Sequence, residues 1–218
     1  MSVSALVMAK APRPGAVKTR LEPLLGAAGC SALQGALIGL AARWAADVAP
    51  GAAYLAYGPD GAGEAELAPH VPPGVELFAD GAGDLGDRLA FATQKVLDAR
   101  PGPLLVVGTD MPLLSPAHAR EAEQALEDAD VCFGPALDGG YWTVGLSRPQ
   151  PEIFSLGGAW GGSRVLELSL ARAAAAGLSA RLLGEERDLD DESDARALLG
   201  EPALPGTIGE LLAPAAAP

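Results

Sequence analysis

The stretch "PLLVVGTDMPLL", residues 103–114, decides the fold class. Its first half is an unbroken apolar run, which is typical of a strand buried on both faces of a parallel sheet. Asp110 follows this run, and Pro112 favours an extended turn. Because ligands of parallel α/β sheets bind beyond the carboxyl ends of the strands, Asp110 is a candidate ligand-binding residue. The alternative is an aspartate that only caps the next turn.

Outward from this stretch, apolar runs of strand length alternate with amphipathic segments of helix length. This alternation predicts one three-layer α/β/α sandwich with a mostly parallel sheet. We expect residues 5–8 and 104–108 to be interior strands, a single domain over residues 1–204, and a partly disordered C-terminal tail over residues 205–218.

Composition and charge exclude several classes of protein. The chain has 218 residues and a formal net charge of -13, which argues against general binding to nucleic acids or anionic membranes. Its longest apolar stretch, residues 32–49, contains Arg43 and Asp47 and is not expected to span a membrane. Cys30 and Cys132 lack metal-type spacing, so we expect buried thiols and a cytoplasmic protein.

In contrast to the acidic chain, the loop after the first strand is basic. Lys10, Arg13, Lys18 and Arg20 precede the first acid of the chain. Gly15 would allow a close backbone approach, and Lys18 and Arg20 offer donors suited to phosphate oxygens. The loop lacks the Gly-Lys pair of a Walker A motif. It either holds phosphates or is an exposed loop with solvated cations.

Acidic residues near the C-terminus could complete a metal site with Asp110. Asp188 and Asp190 would share one side of an extended segment, although acid runs are usually solvated. A carboxylate at a strand end can bridge Mg²⁺ to a nucleotide phosphate. If Asp110 and Asp190 approach each other without a ligand, we expect a raised pKa, or a water or cation between them.

Two glycine-rich segments are further candidates. Asp138-Gly139-Gly140 predicts a turn between two strands, which explains the glycines but not Tyr141 and Trp142, and these could wall a pocket. The segment "GDLGDRL", residues 83–89, leads into a helix N-terminus that could face a nucleotide.

Six segments, in this order, resemble a bacterial glycosyltransferase-like family, also called radical-SAM/selenodomain-associated transferases. They are "MAKAPRPGAVKTRL", "GDLGDRL", "GTDMPLL", "GPALDGGYWTVGL", "AWGGSRVLELSLARAAAAGL" and "DLDDESDARAL". The chain is more distantly similar to guanylyltransferases for phospholactate and the molybdenum cofactor. The resemblance implies the GT-A-like nucleotide-diphospho-sugar transferase fold with one nucleotide site.

The resemblance also implies roles for individual residues. The nucleotide phosphates would contact Lys10, Arg13, Gly15, Lys18 and Arg20, and the base would contact Gly83, Asp84 and Leu85. The metal would bind Asp110 and Asp190. The acceptor would contact Asp138, Gly139, Gly140, Tyr141 and Trp160.

Together, these features predict a transferase that depends on Mg²⁺ or Mn²⁺. The expected reaction is nucleotidyl transfer from a nucleoside triphosphate to a phosphorylated small-molecule acceptor, with release of pyrophosphate. Lys18, Arg20 and Asp110 are the expected catalytic residues. Glycosyl transfer from a nucleotide-sugar is the alternative, and a non-catalytic nucleotide-binding protein is a third possibility.

Overall fold

A seven-stranded sheet organises the protein, in a computed structural model that describes residues 3–58 and 63–213. The strand order is β3-β2-β1-β4-β6-β5-β7, and β6 alone runs antiparallel to its neighbours. The first and fourth strands are interior, as predicted. The strands are β1 (Ser4–Ala9), β2 (Ala53–Tyr57), β3 (Val75–Ala79), β4 (Leu104–Val107), β5 (Val131–Pro135), β6 (Tyr141–Leu146) and β7 (Ala180–Leu182).

Helices cover both faces of the sheet. In β1, Ala5 and Val7 pack under α1 and α4, whereas Leu6 packs under α3 and α5. This alternation explains why the interior strands are apolar without a break, and it confirms the three-layer prediction. The helices are α1 (Glu22–Val48), α2 (Glu64–Leu67), α3 (Leu85–Ala99), α4 (Pro116–Asp128), α5 (Val165–Ala175), α6 (Glu192–Leu198) and α7 (Gly206–Leu212).

The long helix α1 is part of the core. Residues 19–48 are long and apolar enough to cross a membrane. One such helix near the N-terminus is only weak evidence of a membrane span. Ile38, Ala42 and Ala45 are buried against the sheet, so this helix has a packed apolar face. Cys30 within it is a buried free thiol, as is Cys132 in β5.

The segment from residue 205, which the sequence predicts to be a partly disordered tail, contains an ordered part at residues 206–212. These residues form α7, whose Ile208 and Leu212 are buried beside Leu33 and Leu37 of α1. Positions four residues apart share one helix face, so the two apolar side chains suffice to dock a short helix. Residues 214–218 lie outside the described residues.

The topology brings the candidate segments to one edge of the sheet. Lys10, Asp80 and Asp110 each follow the carboxyl end of a parallel strand. Because β6 is reversed, its first residue, Tyr141, begins at the same edge. The hairpin predicted from Asp138-Gly139-Gly140 joins β5 to β6 there. Segments far apart in sequence therefore meet at this edge.

Candidate functional site

A cleft of about 550 Å³ opens at the carboxyl edge of the sheet. Its volume lies within the range of ordinary small-molecule sites. Many of the residues selected from the sequence line it, and they come from all four expected subsites, for the phosphates, the base, the metal and the acceptor. These residues are Lys10, Lys18, Arg20, Leu85, Asp110, Tyr141, Trp160 and Asp190.

Lys18 joins the two aspartates expected to hold a metal. Its Nζ lies 2.5 Å from Oδ1 of Asp110 and 3.2 Å from Oδ1 of Asp190, and it donates to the backbone oxygen of Leu189 at 2.6 Å. Burial disfavours the charge, but attraction by the two carboxylates outweighs burial and raises the pKa of Lys18 above its ordinary value. A cation therefore sits between the aspartates, and it belongs to the protein itself.

The two carboxylates are close enough to share an ion. Oxygens of both residues contact the Lys18 Nζ, so one Mg²⁺ at roughly 2.1 Å per ligand could bind both once that ammonium moves aside. The donor set is also suitable, because hard divalent cations prefer carboxylate oxygens.

Asp190 belongs to a second acidic group as well. Carboxylate oxygens of Asp138, Asp188 and Asp190 lie within 4.8 Å of one another. Burial, followed by repulsion from Asp138 and Asp190, raises the pKa of Asp188 to about 6. The family resemblance implies that Asp138 contacts the acceptor. In the structure, its carboxylate lies beside two other potential metal ligands, Asp188 and Asp190.

A glycine turn positions Asp138. Gly139 has a φ of +90°, and a side chain there would collide with the backbone of Ser163. The backbone N–H of Gly140 donates to Oδ1 of Asp138 at 2.7 Å. The turn thus fixes the position of Asp138, which is the one residue that the turn and the acidic group share.

Arg13 and Gly15 do not line the cleft. Nε and Nη2 of Arg13 donate to the two carboxylate oxygens of Glu66, both at 2.6 Å. The hydrogen bond from Arg13, with one from the backbone N–H of Gly63, lowers the pKa of Glu66 to about 2. Of the four loop cations, Lys10, Lys18 and Arg20 line the cleft, and Lys18 is neutralised within the protein.

Residues 83–85, which were expected to bind the base, mainly form the N-terminal cap of α3. Asp84 caps α3 by accepting a hydrogen bond from the backbone N–H of Asp87 at 3.0 Å. Gly83 precedes it with a φ of +102°. Of the three residues expected here, Leu85 lines the cleft.

The sequence interpretation missed a buried ion pair beside the cleft. Nε and Nη2 of Arg88 donate to Oδ2 of Asp80 at 2.8 and 2.5 Å, and both residues are buried. Arg88 lines the cleft, as does Gln34, which donates to the Thr109 hydroxyl at 3.1 Å. Arg88 lies one helical turn after Leu85, and this spacing is the signal that could have identified it.

A mostly parallel sheet with one reversed strand and a cleft at its carboxyl edge defines the class: an α/β protein with the nucleotide-diphospho-sugar transferase fold. Residues 41–161 match the DUF2064 family model, described as an uncharacterized protein conserved in bacteria, and the chain belongs to this family. A search of curated proteins finds no match.

Solved structures support the fold assignment. The chain is 26% identical to a candidate nucleotide-diphospho-sugar transferase from Desulfovibrio desulfuricans G20, with a TM-score of 0.86 over 97% of this chain and 94% of that chain. CMP:2-keto-3-deoxy-manno-octonic acid synthetase with CTP is 14% identical, with a TM-score of 0.55 over 91% and 97%. Rv0371C from Mycobacterium tuberculosis H37Rv with manganese is 20% identical, with a TM-score of 0.50 over 90% and 97%. The last two show a shared fold alone.

Proposed function

We propose that this protein is a divalent-cation-dependent transferase that uses a nucleotide donor. The observation that carries the proposal is the convergence of Asp110, Asp138, Asp188 and Asp190 on the edge where Lys18 lines the cleft. Lys18 contacts Asp110 and Asp190, and Arg20 lies 3.8 Å from Asp190, so the four carboxylates outnumber the two cations beside them and leave an excess of negative charge. A bound divalent cation would compensate this charge and allow phosphates to approach.

For the reaction itself, we propose nucleotidyl transfer. An oxygen of the acceptor phosphate attacks the α-phosphorus of a nucleoside triphosphate, the bond from that phosphorus to the bridging oxygen breaks, and pyrophosphate leaves. This transfer needs positioning and charge stabilisation but no protein nucleophile.

Individual residues have separate tasks in this proposal. Asp110 and Asp190 would hold Mg²⁺ or Mn²⁺, which supplies positive charge beside the phosphates. Lys10 and Arg20 line the cleft and would contact the leaving phosphates; the Arg20 side chain is 73% exposed, and its Nη1 lies 3.8 Å from Oδ2 of Asp190. Tyr141 and Trp160 form an edge-to-face ring pair that would wall the acceptor subsite. The neighbours that contain CTP and manganese support this choice of ligands.

Glycosyl transfer from a nucleotide-sugar is the second candidate. The observation that favours it is the internal pairing of Arg13 with Glu66 and of Lys18 with Asp110. This pairing reduces the positive charge available to a triphosphate. A nucleotide-sugar carries less phosphate charge, so it would need fewer free cations.

The products distinguish the two reactions. Purified protein would be incubated with Mn²⁺, each nucleoside triphosphate or nucleotide-sugar, and a panel of phosphorylated and hydroxylated acceptors, followed by ³¹P NMR. Pyrophosphate release supports nucleotidyl transfer, and nucleoside diphosphate release supports glycosyl transfer. Binding without turnover over the whole panel would favour the non-catalytic alternative, and activity retained by Asp110→Asn would contradict the proposed site.

A further inference from the structure

The Asp80–Arg88 pair is a buried polar feature that the proposed reaction leaves unused. Asp80 follows β3 and is 1% exposed, and Arg88 on α3 is 7% exposed. Arg88 directs Nε and Nη2 to the same oxygen of Asp80. A side chain at Gly58 would collide with Asp80, so the glycine leaves room for this carboxylate. The guanidinium is therefore held in one orientation.

Arg88 retains unused hydrogen-bond donors. A guanidinium carries five N–H donors, and within the described residues its Nη1 donates to none. Asp80 neutralises the charge of Arg88, so the remaining N–H groups suit neutral oxygen and nitrogen acceptors better than a further anion. The residue lines the cleft and is positioned to use these donors on a bound molecule.

Arg88 and Lys18 line the cleft from opposite faces of the sheet. Lys18 lies in the loop that leads to α1 on one face, whereas α3 packs on the other face. On the α3 side, the lining is largely apolar and includes two aromatic rings. This lining comprises Met8, Leu85, Leu89, Tyr141, Val144 and Trp160. If the phosphates of a nucleotide bind beside Asp110 and Asp190, its flat, largely apolar base would lie on the side of Arg88.

We propose that Arg88, held by Asp80, determines base specificity by donating to a nucleobase edge that presents two adjacent acceptors. Guanine O6 and N7 form such an edge, and so do cytosine O2 and N3. Adenine has no carbonyl oxygen. In uracil, each carbonyl lies beside an N–H donor, and a guanidinium has no acceptor to pair with that donor. This inference rests on the proposed nucleotide donor and makes Arg88 a specificity-determining residue of that site.

The test compares bases at a constant phosphate group. Calorimetry with Mg²⁺ would measure the affinities of GTP, CTP, UTP, ATP and inorganic tripolyphosphate for the wild-type protein. The four corresponding nucleoside diphosphates would be measured in the same way. GTP or CTP should bind at least about tenfold more tightly than ATP and UTP, the lower range of discrimination by a bidentate arginine contact. Tightest binding of ATP or UTP would overturn the inference.

A charge-neutral double variant isolates the role of the pair. Asp80→Asn combined with Arg88→Met removes both charges together, which avoids leaving one of them buried alone. It should reduce the preference among bases to less than about threefold, with affinity for tripolyphosphate unchanged. The control is Asp130→Asn with Arg148→Met, which removes a pair at the start of β5, away from the cleft. A double variant with native thermal unfolding and an undiminished base preference would refute the role of Arg88.

If the double variant does not fold, Arg88→Lys provides the same test with the charge retained, because lysine lacks the planar fork. It should lose the base preference, and retention would refute the inference. Failure of the proposed function has a different signature. In that case, neither nucleotides nor tripolyphosphate bind to wild-type protein, whereas failure of this inference alone leaves tight binding with the wrong base order.

Discussion

Lys18 and Asp110 form an ion pair at the carboxyl edge of the sheet, with Nζ 2.5 Å from Oδ1. The two side chains differ in exposure: that of Lys18 is 5% exposed, whereas that of Asp110 is 48% exposed. Lys18 also has a φ of +50°, which is unusual for a residue with a side chain. The ammonium is thus held beside a carboxylate that solvent can reach, and a metal ion binding to Asp110 and Asp190 would compete with it.

Replacement of Lys18 should therefore change metal and nucleotide affinity in opposite directions. In Lys18→Met, the affinity for Mn²⁺ without nucleotide should rise about tenfold, because an internal cation no longer competes for Asp110 and Asp190. Nucleotide affinity should fall roughly ten- to a hundredfold, because a metal bound to Asp110 and Asp190 would release the Lys18 ammonium for a charge-assisted hydrogen bond to phosphate. Calorimetry measures both, with Lys10→Met as the control for removal of a cleft cation. Equal or weaker Mn²⁺ binding in Lys18→Met would contradict this competition.

Asp190 should be distinguishable from its neighbour Asp191. Asp190→Asn should weaken Mn²⁺ binding at least about tenfold, because Asp190 belongs to both acidic groups and asparagine is a neutral ligand. Asp191 instead caps α6 by accepting from the backbone N–H of Ser193 and Asp194. Since asparagine is an equally good N-cap, Asp191→Asn removes the same charge without loss of the cap. Equal losses in the two variants would indicate only a general electrostatic effect.

The pKa of Asp188 predicts a pH-dependent gain in stability when this residue is replaced. Its pKa of about 6 lies above the ordinary 3.8, so the folded protein binds this proton more tightly than the unfolded chain does. The charged carboxylate destabilises the fold above pH 6, and this cost decreases as pH falls through 6 and disappears only below the ordinary pKa of 3.8. Asp188→Asn should raise the free energy of unfolding by about 1–2 kcal/mol at about pH 7.5, after allowance for solvent screening.

Urea unfolding of the wild-type protein and Asp188→Asn at several pH values measures this difference. The gain should shrink as pH falls below 6 and vanish below about pH 3, where aspartate is protonated in both the folded and the unfolded state. The same variant should bind Mn²⁺ more weakly, because a potential ligand charge is lost. A stability difference that does not vary with pH would show that the effect is not electrostatic.

The sequence predicts the fold well because its decisive signals are local. The apolar runs of β1 and β4 specify two interior strands, and Gly139 and Gly140 specify a hairpin. Neither signal depends on residues elsewhere in the chain. The helix α7 was not predicted because it is only seven residues long, with three apolar side chains, and the segments on either side of it are rich in proline and alanine.

Partners in the site are harder to predict because they are distant in sequence. Arg13 meets Glu66, 53 residues away, so a loop cation that could contact phosphate pairs within the protein instead. Asp138 meets Asp188 because β7 pairs with β5, and nothing local to either residue specifies that pairing. Asp110 and Asp190 were placed together by resemblance to a family, and the structure now gives that proximity a geometric basis through Lys18.

The Gly139 turn should link stability to metal binding. Gly139 has a φ of +90°, its carbonyl accepts from the backbone N–H of Leu166 at 3.0 Å, and a Cβ would collide with the carbonyl of Ser163. Gly139→Ala must therefore displace the turn, and Asp138 with it. We expect the free energy of unfolding to fall by more than about 1–2 kcal/mol, the cost of a left-handed conformation alone.

The control for this substitution is Gly158→Ala. No atom lies within 4 Å of a Cβ at Gly158, and its backbone does not require a glycine, so the change in stability should stay within about 0.5 kcal/mol. Mn²⁺ titration of both folded variants then tests the role of Asp138. Affinity should fall in Gly139→Ala and stay at the wild-type level in Gly158→Ala. Undiminished Mn²⁺ binding in a destabilised Gly139→Ala would mean that Asp138 supports the turn without contributing to the metal site.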